Sequence, residues 1–493
     1  MFLARLLVLF SLVCISCAHS SFEQKQLKHA LDFATSNRLE LEILLQHYTY
    51  DSLKLEAAKF LIRNMPHCYS YQQGGEMDSV KRVRTYYSPF GQIDQTYARR
   101  WGHYTYRNLP KIYDAHIITA EYLIDNIDRA FDNWQKRPWN RSLSFEDFCE
   151  YLLPYRIGDE PLEEWRELYE KKYGYLLDSI YKGSDVVEAA NLVSRHLQEP
   201  VFIYCEDFEL PHIGPRYLFS HRYGSCVDAA DIVTYAFRAV GIPCMEDTDA
   251  RGGHVWNVVR DTTGRDVPIW YIASEAVRGS RDTGGYKRGK VYRPMYGFQE
   301  EKAAHLGDDW KSMPLLFYHP YMKDVSYAYY PDTLRILTGI PDDEVCYLAH
   351  FHEAHWWSCA CARSASGKME IPNLESELVY LPMKYTKGNY YSSGFPFWFA
   401  GGEINTFLPD WEKTVKVRLY RKYPVYGWLR SFMGHVVGGT FEGSMTKNFE
   451  DGKTLYEIAD TPVIARNRIF LNKSVKCRYI RYKADNDKCA ELA

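Results

Sequence analysis

The sequence predicts an α+β protein of several domains, helical at the start, mixed in the middle and β-rich at the end. Three observations carry that expectation. With 493 residues, 46% of them hydrophobic, the chain can fill more than one core, because a single core stops growing at roughly 250–300 residues. Apolar residues recur at three- and four-residue spacing up to about residue 200, the period of one helix face. After about residue 315 short runs alternate instead, as in Val415, Val417 and Leu419, between breaks rich in Gly, Pro and Asn. That is the period of a half-buried strand.

Element by element, the N-terminus reads first as an address. Arg5 precedes the apolar run "LLVLFSLVCIS", too short to span a bilayer as a mature helix but long enough for the core of a signal peptide. "VCISC" resembles a bacterial lipoprotein signal, which implies removal of the leader, lipidation of Cys17 and a membrane anchor at that residue, with residues 1–17 as the signal. The alternative is an ordinary secretory signal cleaved near Ala18. Either way the chain is expected outside the cytoplasm: a cell-surface or outer-membrane lipoprotein, or else a periplasmic or secreted protein.

From residue 18 to about 200 a helical region follows. "LKHALDFATSNRLELEILLQHY" and "DSLKLEAAKFLIRNMP" carry helical spacing, and Pro66 stops the second run. Ile117, Ala120, Ile124, Ile127, Phe131 and Trp134 fall on one stripe, which suits a helix packed into a bundle. "SFEDFCEYLLP" and "PLEEWRELYEKKYGYLLDSIY" read as further helices.

The middle segment, about 201–316, holds the chemistry. Gly224 and Ser225 make a turn, after which Cys226, Ala229, Ala230, Val233, Ala236, Phe237 and Val240 form a helical stripe ending at Gly241. A thiol at a helix start faces unsatisfied backbone N–H groups and the positive end of the helix dipole, which favours the thiolate. Cys244 reads as an ordinary buried residue. His254 opens the strand-like run "HVWNVVRD", and "DVPIWYIAS" returns after the turn "TTGR". A cysteine opening a helix and a histidine opening a strand are the pieces of a thiolate–imidazolium pair. Asp228, in the first helical turn, suits the helix dipole rather than catalysis.

"GSCVDAADIVTYAFRAVGIPC" followed by "GGHVWNVV" resembles the transglutaminase-like superfamily of papain-type cysteine enzymes. "FLIRNMPHCYSY", "EYLLPYRIGDEPLEEWR" and the later "RKYP" resemble segments of large surface lipoproteins of gut Bacteroidota-type bacteria. The resemblance implies Cys226 as nucleophile and His254 as general base, within a papain-type core that follows a helical region and precedes β-sandwich modules. It also implies an acidic residue on the next strand to orient the imidazole. Counting along "GRDVPIWYIASE" puts Trp270 near that position, so the third member is expected to be Glu275, Asp266 or absent, with Glu275 the choice carried forward.

Two further regions complete the reading. "HFHEAHWWSCAC" collects His350, His352, Glu353, His355, Cys359 and Cys361, but its spacing is H-E-x-H rather than H-E-x-x-H. Its flanks alternate like the two arms of a hairpin, so the cluster is expected to divide between a core and an exposed loop, with Trp356 and Trp357 available to a sugar. Residues 317–424 are expected as a β-sandwich. Residues 425–493 resemble part of a discoidin-like β-sandwich of the kind found in carbohydrate-binding modules.

Composition narrows the partners. A formal net charge of −3 gives no footprint for nucleic acid. The 41 tyrosines suit surfaces with one packed and one wet side. The 12 cysteines are too thinly spread for a disulfide framework. The expected activity is hydrolysis or transfer at an amide bond of a peptide or glycopeptide through a Cys226 acyl-enzyme, with no cofactor. The alternative is a non-enzymatic, glycan-binding surface lipoprotein with a degenerate core.

Overall fold

The computed structural model describes residues 22–85, 105–199, 201–204, 210–251, 253–271, 275–281, 287–299, 313–337, 340–352, 355–410, 412–413, 434–462, 468–471 and 474–485. The expected signal with Cys17, the run around Val415, and residue 425, where the last domain was placed, lie outside the described residues. The rest has the expected order at coarse grain, helices first and sheets last.

Among the early helices are α1 (Arg38–His47) and α2 (Ser52–Asn64). Asp51 starts α2 by accepting from the Lys54 amide at 3.1 Å, and Pro66 follows it in a 3-10 turn. Helix α3 (Ala120–Lys136) is capped by Thr119, which accepts from the Tyr122 amide. That cap places Ile117 outside the helix, where it is exposed, so the buried stripe runs through Ala120, Leu123, Ile127, Ala130 and Phe131 instead. Helices α4 (Arg166–Tyr175) and α5 (Val186–Leu197) follow.

The central element is α6 (Cys226–Ala239), in which every residue except Val227 is buried. A helix that is apolar on most sides belongs inside a domain. It ends before Gly241, whose φ of +81° is left-handed, and a side chain there would collide with Asn133 and Arg137. Helix α6 packs on an antiparallel sheet of order β3-β2-β1-β4-β5, made of β1 (Cys244–Asp249), β2 (Val255–Arg260), β3 (Asp266–Ile269), β4 (Val291–Pro294) and β5 (Met322–Asp324). The β2–β3 hairpin is the one expected around "TTGR".

The sheet overruns the expected boundary at residue 316. Strand β5 is its edge, and beyond it Tyr329 accepts from Trp256 Nε1 at 2.9 Å and donates to Asp247 at 2.6 Å. Both bonds are buried, so the segment through Tyr329 belongs to the core it follows.

Beyond it, β6 (Leu334–Leu337) pairs with β9 (Lys368–Ile371). A six-stranded sheet joins β8 (His355–Arg363), β7 (Val345–His352), β10 (Leu378–Thr386), β12 (Phe397–Ala400) and β13 (Glu403–Thr406), with β11 (Asn389–Ser392) also on β10. One face of this sheet packs Leu348, Tyr380 and Phe397 against Leu334, Met369 and Ile371. The other packs Tyr347, Leu381 and Met383 against Tyr292 and Phe317 of the preceding region. Strands β14 (Thr440–Ser444), β15 (Lys453–Glu457) and β16 (Tyr479–Lys483) form a separate three-stranded sheet centred on β14.

Candidate functional site

Cys226 is the first residue of α6 and is 4% exposed. Its helix start is built by a capping box. The Asp228 carboxylate accepts from the Ser225 amide at 2.7 Å, while the Ser225 side chain accepts from the backbone at the third helical position. Reciprocal capping satisfies two orphan donors and fixes where the helix begins.

Polar contacts along α6 fix how it lies on the sheet. Asn257 of β2 donates to the Ala230 carbonyl at 3.0 Å and to Thr234 Oγ1 at 2.9 Å. Nearer the helix C-terminus, Arg238 donates to the Cys244 carbonyl at 3.2 Å, and Cys244 lies opposite Val259. Helix and strand therefore run in the same direction. Their starting ends, marked by Cys226 and by His254 just before β2, lie at the same end of the pair.

His254 is 6% exposed, and its carbonyl accepts from Thr248 Oγ1 at 3.0 Å. Its ring centroid lies 4.6 Å from that of Trp270 at 72°, and 5.6 Å from that of Trp256 at 30°. Trp270, which the count along the strand put beside the histidine, is thus in edge contact with it.

The two carboxylates considered as third members sit elsewhere. Asp266 pairs with Arg260 across the hairpin, at the end of β2 remote from His254. It accepts from Arg260 Nε at 2.8 Å, Arg293 Nη1 at 2.7 Å and the Tyr151 hydroxyl at 3.0 Å. Burial raises its pKa, but the Arg293 and Arg260 guanidiniums outweigh that and hold it below the usual carboxylate range. Glu275 forms an ion pair with Arg195 of α5 at 2.6 Å, with both side chains 53% exposed.

Cys244, at the start of β1, is fully buried, and burial pushes its thiol up to about 12. In the histidine- and cysteine-rich hairpin of β7 and β8, the register shifts between Leu348 and Ala349. This bulge breaks the two-residue alternation. Cys359 packs with Leu348 and Tyr380, whereas Cys361 packs on the opposite face with Tyr347. Among the described residues no group of three or more His, Cys, Asp or Glu side chains is arranged to hold a metal ion.

Buried acids on α6 and on the strand beneath it escaped the sequence reading. Asp231 lies 2.9 Å from His212 Nδ1, and Glu246 of β1 accepts from the Thr234 hydroxyl at 2.7 Å. The available signal was charge inside apolar runs, in "DAADIVTYAF" and "PCMEDTD", since a carboxylate in such a run is seldom buried without a partner. No protein-family model matches this chain, and no curated protein or solved structure matches it.

Proposed function

We propose that the chain is an extracytoplasmic, transglutaminase-like cysteine enzyme acting on an amide bond of a peptide or glycopeptide. The observation that carries this reading is the placement of Cys226 at the start of a buried helix whose Cys226 end coincides with the His254 end of the strand packed on it. In the proposed reaction the Cys226 thiolate attacks the carbonyl carbon, and the backbone N–H groups at the helix start receive the developing oxyanion. The C–N bond breaks as the imidazolium of His254 gives its proton to the leaving amine. His254 then takes a proton from water, which attacks the thioester and frees the acid and the thiol. An amine in place of water gives transfer instead of hydrolysis.

The same proposal places the mature chain on a membrane through a lipid at Cys17, with glycans as further partners of the C-terminal β domains. Trp357, at the hairpin, is 36% exposed and carries the Arg251 guanidinium over its ring. It is the aromatic surface to mutate in a glycan-binding assay.

The test of the chemistry is alkylation of the folded protein near neutral pH, with cysteine sites resolved by peptide mapping. Cys226 is expected to react faster than a denatured-state cysteine, while Cys244 stays inert. A Cys226 rate no faster than the denatured-state rate, together with no turnover on peptides or glycopeptides, favours the degenerate, glycan-binding alternative. The aromatic Trp270 beside His254 is the feature consistent with that alternative.

A further inference from the structure

A cavity of about 320 Å³ opens between the N-terminal helical region and the core sheet, away from the residues assigned to acyl transfer. Its wall includes Tyr69, Arg156, His212, Glu246, Tyr296 and Tyr321. We propose that this cavity is a binding site for a small organic ammonium ion, held by Glu246 and the tyrosine rings. Nothing in this proposal requires the acyl-transfer reading.

The polarity of the wall decides the sign of the ligand. Its basic groups are already directed at protein oxygens. Arg156 donates to the Asp114 carboxylate and to the Glu160 carbonyl. Arg238 donates to the carbonyls of Cys244, Arg156 and Glu150. His212 faces Asp231 through Nδ1.

The acceptor side is different. Glu246 is 7% exposed. Its Oε1 takes the Thr234 hydroxyl, and its Oε2 has no hydrogen-bond partner among the described residues. A carboxyl oxygen that meets a cavity from an otherwise buried side chain is a ready acceptor for a charged N–H donor.

The aromatic groups supply the rest. Tyr321 stacks on His67 with centroids 3.5 Å apart, and Tyr296 meets the same His67 ring edge-on at 5.9 Å. Burial keeps His67 neutral, down at about 3, so this wall adds π surface without adding charge there. Ring faces attract an ammonium ion through their quadrupole.

Electrostatics agree with the geometry. Burial, reinforced by the Asp231 carboxylate and opposed by His212 and Arg238, pushes the Glu246 carboxyl up to about 8. An ammonium ion at Oε2 adds positive charge beyond that of His212 and Arg238, so binding at neutral pH expels a proton.

The experiment is calorimetric titration of the full-length protein at pH 7 with benzylamine, benzyl alcohol and benzoate, in two buffers of different ionisation enthalpy. Benzylammonium is expected to bind at least about tenfold more tightly than either isostere and to release a proton. Glu246→Gln removes that preference, and Tyr321→Leu weakens the amine by about threefold or more. Cys226→Ala leaves amine binding unchanged, which separates this site from an acyl acceptor at the thiol. Equal binding of benzyl alcohol or benzoate, no amine binding up to about 10 mM, or an unchanged affinity in Glu246→Gln overturns the proposal. If Glu246→Gln does not fold, an unchanged affinity in Tyr321→Leu overturns it equally.

Discussion

Two regions bring cysteine and histidine together, and they do so in opposite ways. Cys226 and His254 are remote in sequence, yet a helix and a strand running the same way carry them to one end of the core. In the β7–β8 hairpin, His350, His352, Cys359 and Cys361 are close in sequence, yet a bulge at Leu348/Ala349 sends Cys361 to the face opposite Cys359. Neighbours along a strand are separated every second residue, whereas neighbours across a packed pair of elements converge. Density of metal-ligand letters in a short run is therefore weak evidence for a site, and convergence of element ends is stronger.

The comparison breaks first at His254. Replacement by alanine is expected to lower turnover by about 10²–10⁴-fold or more, because the imidazole moves a proton at each half of the proposed reaction. Circular dichroism and thermal unfolding should report an intact fold. His254 lies one residue outside β2, where the pleat no longer dictates side-chain direction. Full activity in that variant removes the acyl-transfer reading and puts the two cysteine–histidine regions on an equal footing.

The next largest effect concerns what holds the core. Ending the chain at Leu316 removes β5, the Tyr329 hydroxyl between Trp256 and Asp247, and the sheet face that covers Tyr292. That variant is expected to be insoluble or unfolded, since the exposed apolar face has no cover. Ending it at residue 433 leaves all of those contacts in place, and the protein should stay soluble. A soluble, thiol-reactive chain ending at Leu316 would show that the C-terminal sheets are appendages.

These particulars also show what was legible in the sequence. The extent of α6 followed from apolar spacing between a turn and Gly241, and the β2–β3 hairpin followed from "TTGR", because both signals are local. The break between core and β domain did not follow. Strand β5 is three residues long, none of them buried, and it is a strand only through its pairing with the distant β4. Ile117 carried the right spacing but lost to the Thr119 cap. The bulge that splits Cys359 from Cys361 has no glycine or proline to announce it. At the candidate site, Cys226 and His254 could be nominated from motifs, whereas Asp231 and Glu246 needed packing to reveal them.

A third, smaller effect separates the hairpin from the core by its response to pH. His350 is 1% exposed, and neither of its ring nitrogens has a hydrogen-bond partner among the described residues. Burial, with His352 beside it, lowers its pKa from the usual 6.5 to about 4. The unfolded chain thus binds this proton more readily than the folded one, so the contribution is present above pH 6.5 and is lost as pH falls toward 4. The loss is up to about 3 kcal/mol at about 1.4 kcal/mol per pKa unit. Replacing His350 by leucine should flatten this acid limb in urea unfolding and raise stability near neutral pH by about 1 kcal/mol, because two unsatisfied polar atoms are removed. An unchanged acid limb would mean that His350 finds a partner in solution.

The smallest expected effect falls on Glu275, the acid carried forward from the sequence as the third catalytic member. Its carboxylate meets Arg195 where both side chains are half in water, and an exposed pair of this kind is worth about 0–1 kcal/mol. By contrast His254 is buried with Trp270 against its ring. Glu275→Gln is therefore expected to cost less than about 1 kcal/mol in stability and to change kcat/KM by less than about twofold, since losing a group that does not touch the reacting centre removes little transition-state binding. The shape of the pH–rate profile distinguishes the roles. A carboxylate that orients and supports an imidazolium raises the imidazole pKa, so its loss moves the alkaline limb of kcat/KM, where the imidazolium of the reactive pair loses its proton, to lower pH. A Glu275→Gln variant with that shift and a hundredfold loss would return Glu275 to the catalytic set, and an unshifted limb would leave Trp270 as the neighbour to vary next.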